Sequence, residues 1–131
     1  QGLPIFKPPY SRLTAVDMNS GEHLWWVPTG ETPNRGKNHP ALQDVDLSNT
    51  GGGGPAISMV MGDLVVMTDG RQGDSVLHAV NKRTGDRLGT VEIPSNGQYG
   101  MMTYLHDGKQ FVVVQIGGSQ YPSSLVALAL P

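Results

Sequence analysis

Four consecutive glycines, Gly51 to Gly54, are the part of this 131-residue chain whose backbone could most directly bind a ligand. A glycine-rich loop can turn several backbone N–H groups toward one anion. The run lacks the Lys and Ser/Thr that complete a phosphate-binding loop, so a flexible connection between strands is the favoured interpretation. Lys7, beside two prolines, could reach a carboxylate, although a solvated lysine is the simpler interpretation.

Other side chains with metal-binding or catalytic chemistry are scattered along the chain. Asp44 and Asp46 could share a calcium ion, but one pair falls short of the roughly six to eight oxygen ligands that calcium takes. The histidines show no metal-ligand spacing; they are His23, His39, His78 and His106. Two of them, His23 and His78, lie on strand patterns, where we expect them to hydrogen-bond at the surface. No nucleophile-elbow motif supports a Ser–His–Asp triad.

Composition excludes several classes of function. The chain has no cysteine, which excludes disulfides, thiolate metal sites and cysteine nucleophiles. Its net charge is −2 and its nine basic residues are scattered, so we expect no nucleic-acid partner. No apolar stretch approaches the roughly 20 residues of a transmembrane helix. The first residue is Gln1 rather than Met, from which we expect a processed or excised product.

One pattern occurs twice in the chain, 64 positions apart. Residues 15–25 read Ala-Val-Asp-Met-Asn-Ser-Gly-Glu-His-Leu-Trp, and residues 79–89 read Ala-Val-Asn-Lys-Arg-Thr-Gly-Asp-Arg-Leu-Gly. The Asp or Asn and the Ser or Thr can accept backbone N–H groups of a turn, and the glycine can adopt a left-handed conformation. The small alanine leaves room for a large side chain from a neighbouring sheet, and Trp25 would fill such a gap. The second copy has Gly89 in place of Trp25.

The rest of the chain reads as short strands and tight turns, with no convincing helix. Segment 31–54 is long, polar and rich in Gly and Pro, and it reads as an irregular excursion. Glycines 62 and 108 are predicted to form hairpin turns. We predict strands near residues 11–17, 22–29, 55–60, 63–69, 76–81, 86–93, 101–106, 109–116 and 123–129.

The repeated motif resembles the tryptophan-docking repeat of the pyrroloquinoline quinone (PQQ) dehydrogenases, which are eight-bladed β-propellers. The segment from Gly-Leu-Pro-Ile-Phe-Lys-Pro-Pro-Tyr (2–10) through Trp25 resembles a late-blade segment of the large quinoprotein glucose dehydrogenases. The following segments of that family are resembled, in the same order, by residues 53–55, 102–104, 108–114, 117–118 and 127–131. The chain departs from the family pattern at Ser119, where the family tends to carry His, and in the longer turn 69–74.

The resemblance implies an all-β fold of antiparallel four-stranded propeller blades. It divides the chain into a half blade (1–30), a connecting loop (31–54), a full blade (55–93) and a three-stranded blade (94–131). Loops between blades line the cofactor face in the family, so Asn49, Thr50, Gly53 and Gly54 become candidate cofactor-binding residues. Three further residues become candidates for the outer lining of the cofactor site, without direct contact to the cofactor: Gln98, Tyr99 and Thr103.

The resemblance also implies a function, namely that of the C-terminal portion of a PQQ-dependent dehydrogenase oxidising an alcohol or a sugar in the periplasm. PQQ and Ca²⁺ would be the cofactors of the whole enzyme, with a quinone or another electron acceptor as its partner. The family's catalytic base lies in earlier blades, so we assign no catalytic or metal-binding residue and expect the isolated chain to be inactive. Two alternatives remain, a cofactor-free scaffold for protein binding and a blade module that completes itself with further blades or with other copies of the chain.

Overall fold

The computed structural model describes residues 3–52, 54–70 and 74–129, which form nine strands in three antiparallel sheets. The first sheet has strands β1 and β2, the second has β3 to β6, and the third has β7 to β9, each in sequential order. The nine predicted strands are all present, with shifted ends. Their bounds are β1 Arg12–Val16, β2 His23–Pro28, β3 Ser58–Met61, β4 Leu64–Thr68, β5 Val76–Asn81, β6 Arg87–Glu92, β7 Gly97–His106, β8 Lys109–Gly118 and β9 Tyr121–Ala129.

The two copies of the repeated motif form the same turn. Oδ1 of Asp17 accepts the N–H groups of residues 19 and 20 at 2.7 and 3.3 Å, and Oδ1 of Asn81 accepts those of residues 83 and 84 at 2.8 and 3.3 Å. Gly21 and Gly85 have φ of 76° and 79°, the left-handed conformation that glycine adopts without steric cost. These turns confirm the interpretation of the motif.

The strands flanking the two turns also pair in the same register. Ala15 pairs with Trp25 in the first sheet, and Ala79 pairs with Gly89 in the second. Each pairing shifts by one residue immediately after the alanine, which is a β-bulge at the same point of both copies. The β1–β2 and β5–β6 hairpins are therefore two copies of one structural unit.

The second sheet lies between the other two, and each of its faces packs on one of them. We call the face toward the third sheet the front face; it carries Val66 and Leu77, which cluster with Val114 and Ile116 of the third sheet. We call the face toward the first sheet the back face. Its buried residues Val65, Met67 and Val80 pack against Leu13, Trp25 and Val27 of the first sheet. A sheet covered on both faces explains the nearly continuous apolar sequences of β4 and β5.

Trp25 joins the first sheet to the turn of the second. Its indole Nε1–H donates to the carbonyl oxygen of Lys82 at 3.0 Å, and its ring lies against Gly85. Ala15 is its cross-strand partner within the same sheet rather than a gap in a neighbouring sheet. Trp26 points to the opposite side of the strand and is 47% exposed, as expected from strand alternation.

Segment 31–54 contains two short helices, so the expectation that the chain has no helix was wrong. The first is α1, Asn34–Lys37, and the second is a 3-10 helix, Pro40–Leu42, in which the His39 side chain accepts the N–H of Ala41 at 3.2 Å. Helices of one turn carry little periodicity in the sequence, which is why pattern reasoning missed them. None of the helices in the described ranges is long and apolar enough to cross a membrane.

Candidate functional site

All connections that are longer than a tight turn lie at one end of the three sheets. Because consecutive strands run antiparallel, the turns 17–22, 62–63, 82–86 and 107–108 lie at one edge of the stack. The described residues of the connections 29–57, 69–75 and 93–96 lie at the other edge, together with the tight turn 119–120 between β8 and β9. We call this second edge the connection edge. Loops positioned by a rigid scaffold are where binding residues concentrate, so the connection edge is the candidate site.

Nearly all buried polar side chains of the described ranges lie at the connection edge. They are Thr29, Thr32, Thr50, Thr68, Asp69 and Ser95, together with His78 of β5, which points toward this edge from the back face. Buried polar groups are costly unless they are hydrogen-bonded.

Asp69 and His78 form a buried pair. Nε2 of His78 lies 2.8 Å from Oδ1 of Asp69, and the same oxygen accepts the N–H of Gly30 at 3.0 Å. Burial raises the pKa of Asp69, but His78, the Gly30 N–H and the positive charge of Arg87 together outweigh burial and hold that pKa below its usual value. The pair therefore links the end of β4 to the chain that leaves β2.

The burial of His78 corrects the expectation of a surface histidine. His78 is 6% exposed because the first sheet covers the back face of the second. Within the described ranges its Nδ1 atom is buried without a hydrogen-bond partner. The signal in the sequence was a single polar residue inside the apolar run Val-Leu-His-Ala-Val of β5, which is typical of a strand buried on both faces.

A network of hydroxyl groups closes the connection edge beside the glycine run. The hydroxyl groups of Ser11 and Thr29 are 2.6 Å apart, and the Ser11 hydroxyl also donates to the carbonyl oxygen of Gly54 at 3.1 Å. Thr32 donates to the carbonyl oxygen of Leu47 at 2.8 Å and shares a hydrogen bond with the Thr50 hydroxyl. These hydroxyl groups hold the connecting chain in place.

The other half of the connection edge joins the second sheet to the third. The side-chain amide nitrogen of Asn96 donates to the carbonyl oxygen of Gly70 at 3.3 Å, and the Ser75 hydroxyl donates to the side-chain oxygen Oδ1 of Asn96 at 3.2 Å. Gly97 approaches Thr68 so closely that a Cβ atom at position 97 would lie 2.3 Å from the Thr68 methyl carbon. Only glycine fits there without displacement of Thr68.

The structure places the candidate cofactor-binding residues at this edge, but in different environments. Asn49 is exposed, and its amide lies 3.4 Å from the hydroxyl of Ser48. Thr50 is buried, and its hydroxyl bonds to Thr32 and to the carbonyl oxygen of Leu47. Gly54 adopts φ of 86° with open space around its Cα, and Gly53 lies outside the described residues.

The remaining candidate residues are not brought together. Lys7 and Asp44 are exposed, and Asp46 is turned onto the N–H of Ser48 at 2.9 Å, a hydrogen bond that lowers its pKa. The amide of Gln98 donates to the carbonyl oxygen of Gly117 at the connection edge, and Tyr99 has φ of 63° and is exposed. Thr103 lies further along β7, where it donates to the carbonyl oxygen of Phe111 at 2.8 Å.

The described residues do not fit a complete site for PQQ and calcium. No group of three or more His, Asp and Glu side chains in the described ranges could hold a metal ion. PQQ carries three carboxylates, whereas the groove of about 870 Å³ beside Gly52 and Gly54 offers a single cationic side chain, Arg12. The buried hydroxyl groups nearby already bond to one another and to the backbone.

Comparison with known proteins identifies the family. The profile of the family described as PQQ, glucose/ethanol/alcohol dehydrogenase, beta-propeller domain, matches residues 1–112. The chain is 30% identical over 137 residues to the glycerol dehydrogenase large subunit of Gluconobacter thailandicus. It is 33% identical over 138 residues to the quinoprotein glucose dehydrogenase of Escherichia coli K12, and 33% identical over 125 residues to the quinate/shikimate dehydrogenase (quinone) of Acinetobacter baylyi ADP1.

These alignments cover nearly all of this chain but little of each relative. They span 99%, 99% and 91% of the chain, and 18%, 17% and 15% of the respective relatives. The matches agree with the resemblance inferred from the repeated motif and with the three antiparallel sheets. The chain therefore belongs to the PQQ-dependent glucose/ethanol/alcohol dehydrogenase β-propeller family.

Proposed function

We propose that this chain is part of the propeller of a PQQ-dependent dehydrogenase that oxidises an alcohol or a sugar. The observation that carries this proposal is the family profile over residues 1–112. Relatives named for glycerol, glucose and quinate align with the chain, and these three compounds all carry hydroxyl groups, which supports a hydroxyl compound as the substrate of the whole enzyme. In the whole enzyme the bound quinone would supply the two-electron oxidising chemistry, and the protein would supply position and electrostatics.

The proposed role of these residues is to build and stiffen one sector of the propeller. The first sheet would be a half blade, the second a full blade and the third a three-stranded blade, joined by the loop 31–54. Trp25 and the Asp69–His78 pair hold the first two sheets together at opposite edges. The resemblance to the family puts the catalytic base in earlier blades, and no group of three or more His, Asp and Glu in the described ranges could hold a calcium ion, so we expect the isolated chain to show no turnover with PQQ, Ca²⁺ and a dye acceptor.

The proposal can be tested with a chimera in which this chain forms part of a complete propeller. The segment of the E. coli glucose dehydrogenase that aligns with this chain, 17% of that protein, is replaced by the present sequence. We expect the chimera to bind PQQ and to reduce a dye in the presence of glucose. The E. coli protein with the same segment deleted serves as the inactive control.

An inactive chimera can be interpreted only if its folding and its PQQ binding are measured separately from its activity. Circular dichroism and sedimentation report whether the chimera is folded, and quenching of tryptophan fluorescence reports PQQ binding. A folded chimera that neither binds PQQ nor reduces the dye would contradict the proposal and favour the cofactor-free scaffold.

We also propose a periplasmic location for the whole protein, which the resemblance to the large quinoprotein dehydrogenases supports. Fractionation of cells that express the full gene product, with a cytoplasmic marker enzyme as control, tests this. Recovery with the cytoplasmic marker would contradict it.

A further inference from the structure

Asn96 and Gly97 form the single Asn-Gly pair of the sequence. In such a pair the backbone nitrogen of the glycine can attack the side-chain carbonyl carbon of the asparagine, because glycine has no side chain to hinder the approach. The attack is intramolecular, so the two reacting atoms are held near each other by the chain itself. Each of the other five asparagines precedes a residue with a side chain, which slows the same reaction there.

The packing of the second sheet on the third requires glycine at position 97. A Cβ atom there would lie 2.3 Å from the methyl carbon of Thr68 at the end of β4. Thr68 is buried, and its hydroxyl accepts the N–H groups of Ile57 and Gly70, so it cannot move aside without loss of these hydrogen bonds. The fold therefore keeps beside Asn96 the residue type that leaves its side chain most open to attack.

The Asn96 side chain also connects the second sheet to the third. Its amide nitrogen donates to the Gly70 carbonyl oxygen at 3.3 Å, and its Oδ1 atom accepts the Ser75 hydroxyl at 3.2 Å. Its backbone carbonyl accepts the N–H of Gly117 at 3.1 Å. We call these three hydrogen bonds the Asn96 joint. They hold both the side chain and the following peptide bond in place, so the attack requires local opening of the connection 93–96.

We propose that Asn96 is a site of spontaneous deamidation and that its products release the Asn96 joint. The Gly97 nitrogen forms a bond to Cγ of Asn96, the bond from Cγ to the amide nitrogen breaks, and ammonia leaves with the proton of the Gly97 N–H. Water then opens the cyclic imide at either of its carbonyl carbons, which gives aspartate or isoaspartate at position 96.

Both products are incompatible with the joint. Each replaces the amide donor by a carboxylate, which only accepts hydrogen bonds and faces the carbonyl oxygen of Gly70. Isoaspartate also lengthens the main chain by one carbon immediately before β7, where Gly97 has no free space beside Thr68. The modification therefore acts at the closest contact between the second and third sheets.

Incubation of the folded natural chain at mildly alkaline pH tests the site. Isoelectric focusing detects the negative charge that each event adds to the net charge of −2, and peptide mass spectrometry with enzymatic methylation of isoaspartate locates it. We expect Asn96 to be the first asparagine to deamidate. Deamidation of Asn96 no faster than that of the other asparagines would overturn the proposal.

Substitution of Ser75 tests the protection by the joint. We expect Ser75→Ala, which removes the donor to Oδ1 of Asn96, to raise the rate at Asn96 about threefold in the folded chain and to leave it unchanged in urea. Ser48→Ala is the matched control, because Ser48 lies beside the exposed Asn49 and far from the joint in sequence. Equal rates for the natural chain and Ser75→Ala would overturn the protective role of the joint.

Asn96→Asp reproduces one product directly and tests its effect. We expect hydrogen exchange of the Gly117 N–H, which bonds to the Asn96 carbonyl, to become about tenfold faster, and Asn49→Asp to leave it unchanged. Circular dichroism reports whether each variant is folded. If Asn96→Asp does not fold, the deamidated fraction of the natural chain, separated by ion exchange, takes its place. Unchanged exchange at Gly117 would overturn the release of the joint.

Discussion

The ring of Trp25 lies on the left-handed Gly85 of the next sheet, at a distance that leaves no space for a side chain. A Cβ atom at position 85 would come within 2.9 Å of two ring carbons. Glycine at this point of the motif therefore serves two purposes, since its φ closes the turn and its bare surface receives the indole. The equivalent Gly21 has the same φ but open space around it.

Alanine substitutions at these two glycines distinguish the energetic cost of the left-handed backbone from the cost of displacing the Trp25 ring. We expect Gly21→Ala to lower the free energy of unfolding by about 1 kcal/mol through the left-handed conformation alone. Gly85→Ala carries the same backbone cost and also displaces Trp25, so we expect a total loss of about 2–4 kcal/mol. Urea denaturation of the two variants measures the difference. Equal losses would show that the Trp25 contact contributes nothing.

The indole hydrogen bond gives a second prediction. Trp25→Phe keeps an aromatic ring but removes the N–H that donates to the Lys82 carbonyl, leaving that oxygen without this partner. We expect a loss of about 1–2 kcal/mol in the free energy of unfolding. Trp26→Phe, on the exposed side of the same strand, is expected to change it by less than about 0.5 kcal/mol. Similar losses for both variants would place the effect in strand propensity instead.

Replacement of Asp69 by Asn should change stability in a pH-dependent way. The pKa of Asp69 is lowered in the folded protein, so its charge stabilises the fold above the usual carboxyl pKa of about 4. This contribution is lost as the pH falls through the lowered folded pKa. We expect Asp69→Asn to cost about 1–3 kcal/mol at pH 7 and progressively less as the pH falls below about 4.

Urea denaturation at several pH values between 7 and 2.5 measures how the difference in the free energy of unfolding between the natural chain and Asp69→Asn decreases with pH. Asp46→Asn is the control, because Asp46 also has a lowered pKa but is fully exposed and bonds only to its neighbour Ser48. Its replacement is expected to alter the pH profile less than that of Asp69. A constant difference between the natural chain and Asp69→Asn at all pH values would contradict the prediction.

Because Gly97 lies close to Thr68, we expect substitutions at these two positions to have non-additive effects on the free energy of unfolding. Gly97→Ala places a methyl group against the Thr68 methyl carbon and is expected to cost about 1–3 kcal/mol. Thr68→Ser removes that methyl but keeps the hydroxyl that accepts the N–H groups of Ile57 and Gly70. In the double variant the cost of alanine at position 97 should fall by at least about 1 kcal/mol.

Gly100→Ala is the control for this cycle, because Gly100 lies on the same strand with no atom near its missing side chain. We expect Gly100→Ala to change the free energy of unfolding by less than about 0.5 kcal/mol. Additive effects at positions 97 and 68 in thermal or urea unfolding would mean that the strand moves to relieve the contact.

Local chemistry explains why much of the fold could be predicted from the sequence. The Asp17 and Asn81 turns depend on hydrogen bonds within a few residues, so the residue types alone indicate them. The hairpins at Gly62 and Gly108 follow for the same reason, with φ of 56° and 75°. The β-branched runs between these turns then predict the nine strands.

The buried polar residues of the connection edge could not be predicted in this way. The apolar run around His78 hints at its burial, but its partner Asp69 follows a different strand, β4, and the sheet that covers the pair is a third element, so the sequence does not indicate the pairing. The same holds for Thr50, whose hydroxyl bonds to Thr32 across the 31–54 segment rather than facing a ligand. The burial and the partners of such residues depend on how the sheets stack, so they can be determined only from the tertiary structure.

The local character of the motif turns has a consequence for the order of folding. The hydrogen bonds that Asp17 and Asn81 accept with their side chains each close a loop of two or three residues, so we expect each hairpin to form in microseconds without contacts to distant parts of the chain. The β-bulge after the alanine then sets the register of the two strands in each hairpin. We expect collapse of the chain to begin from these two hairpins, and the docking of the Trp25 ring on a turn 57 residues away in sequence to follow later.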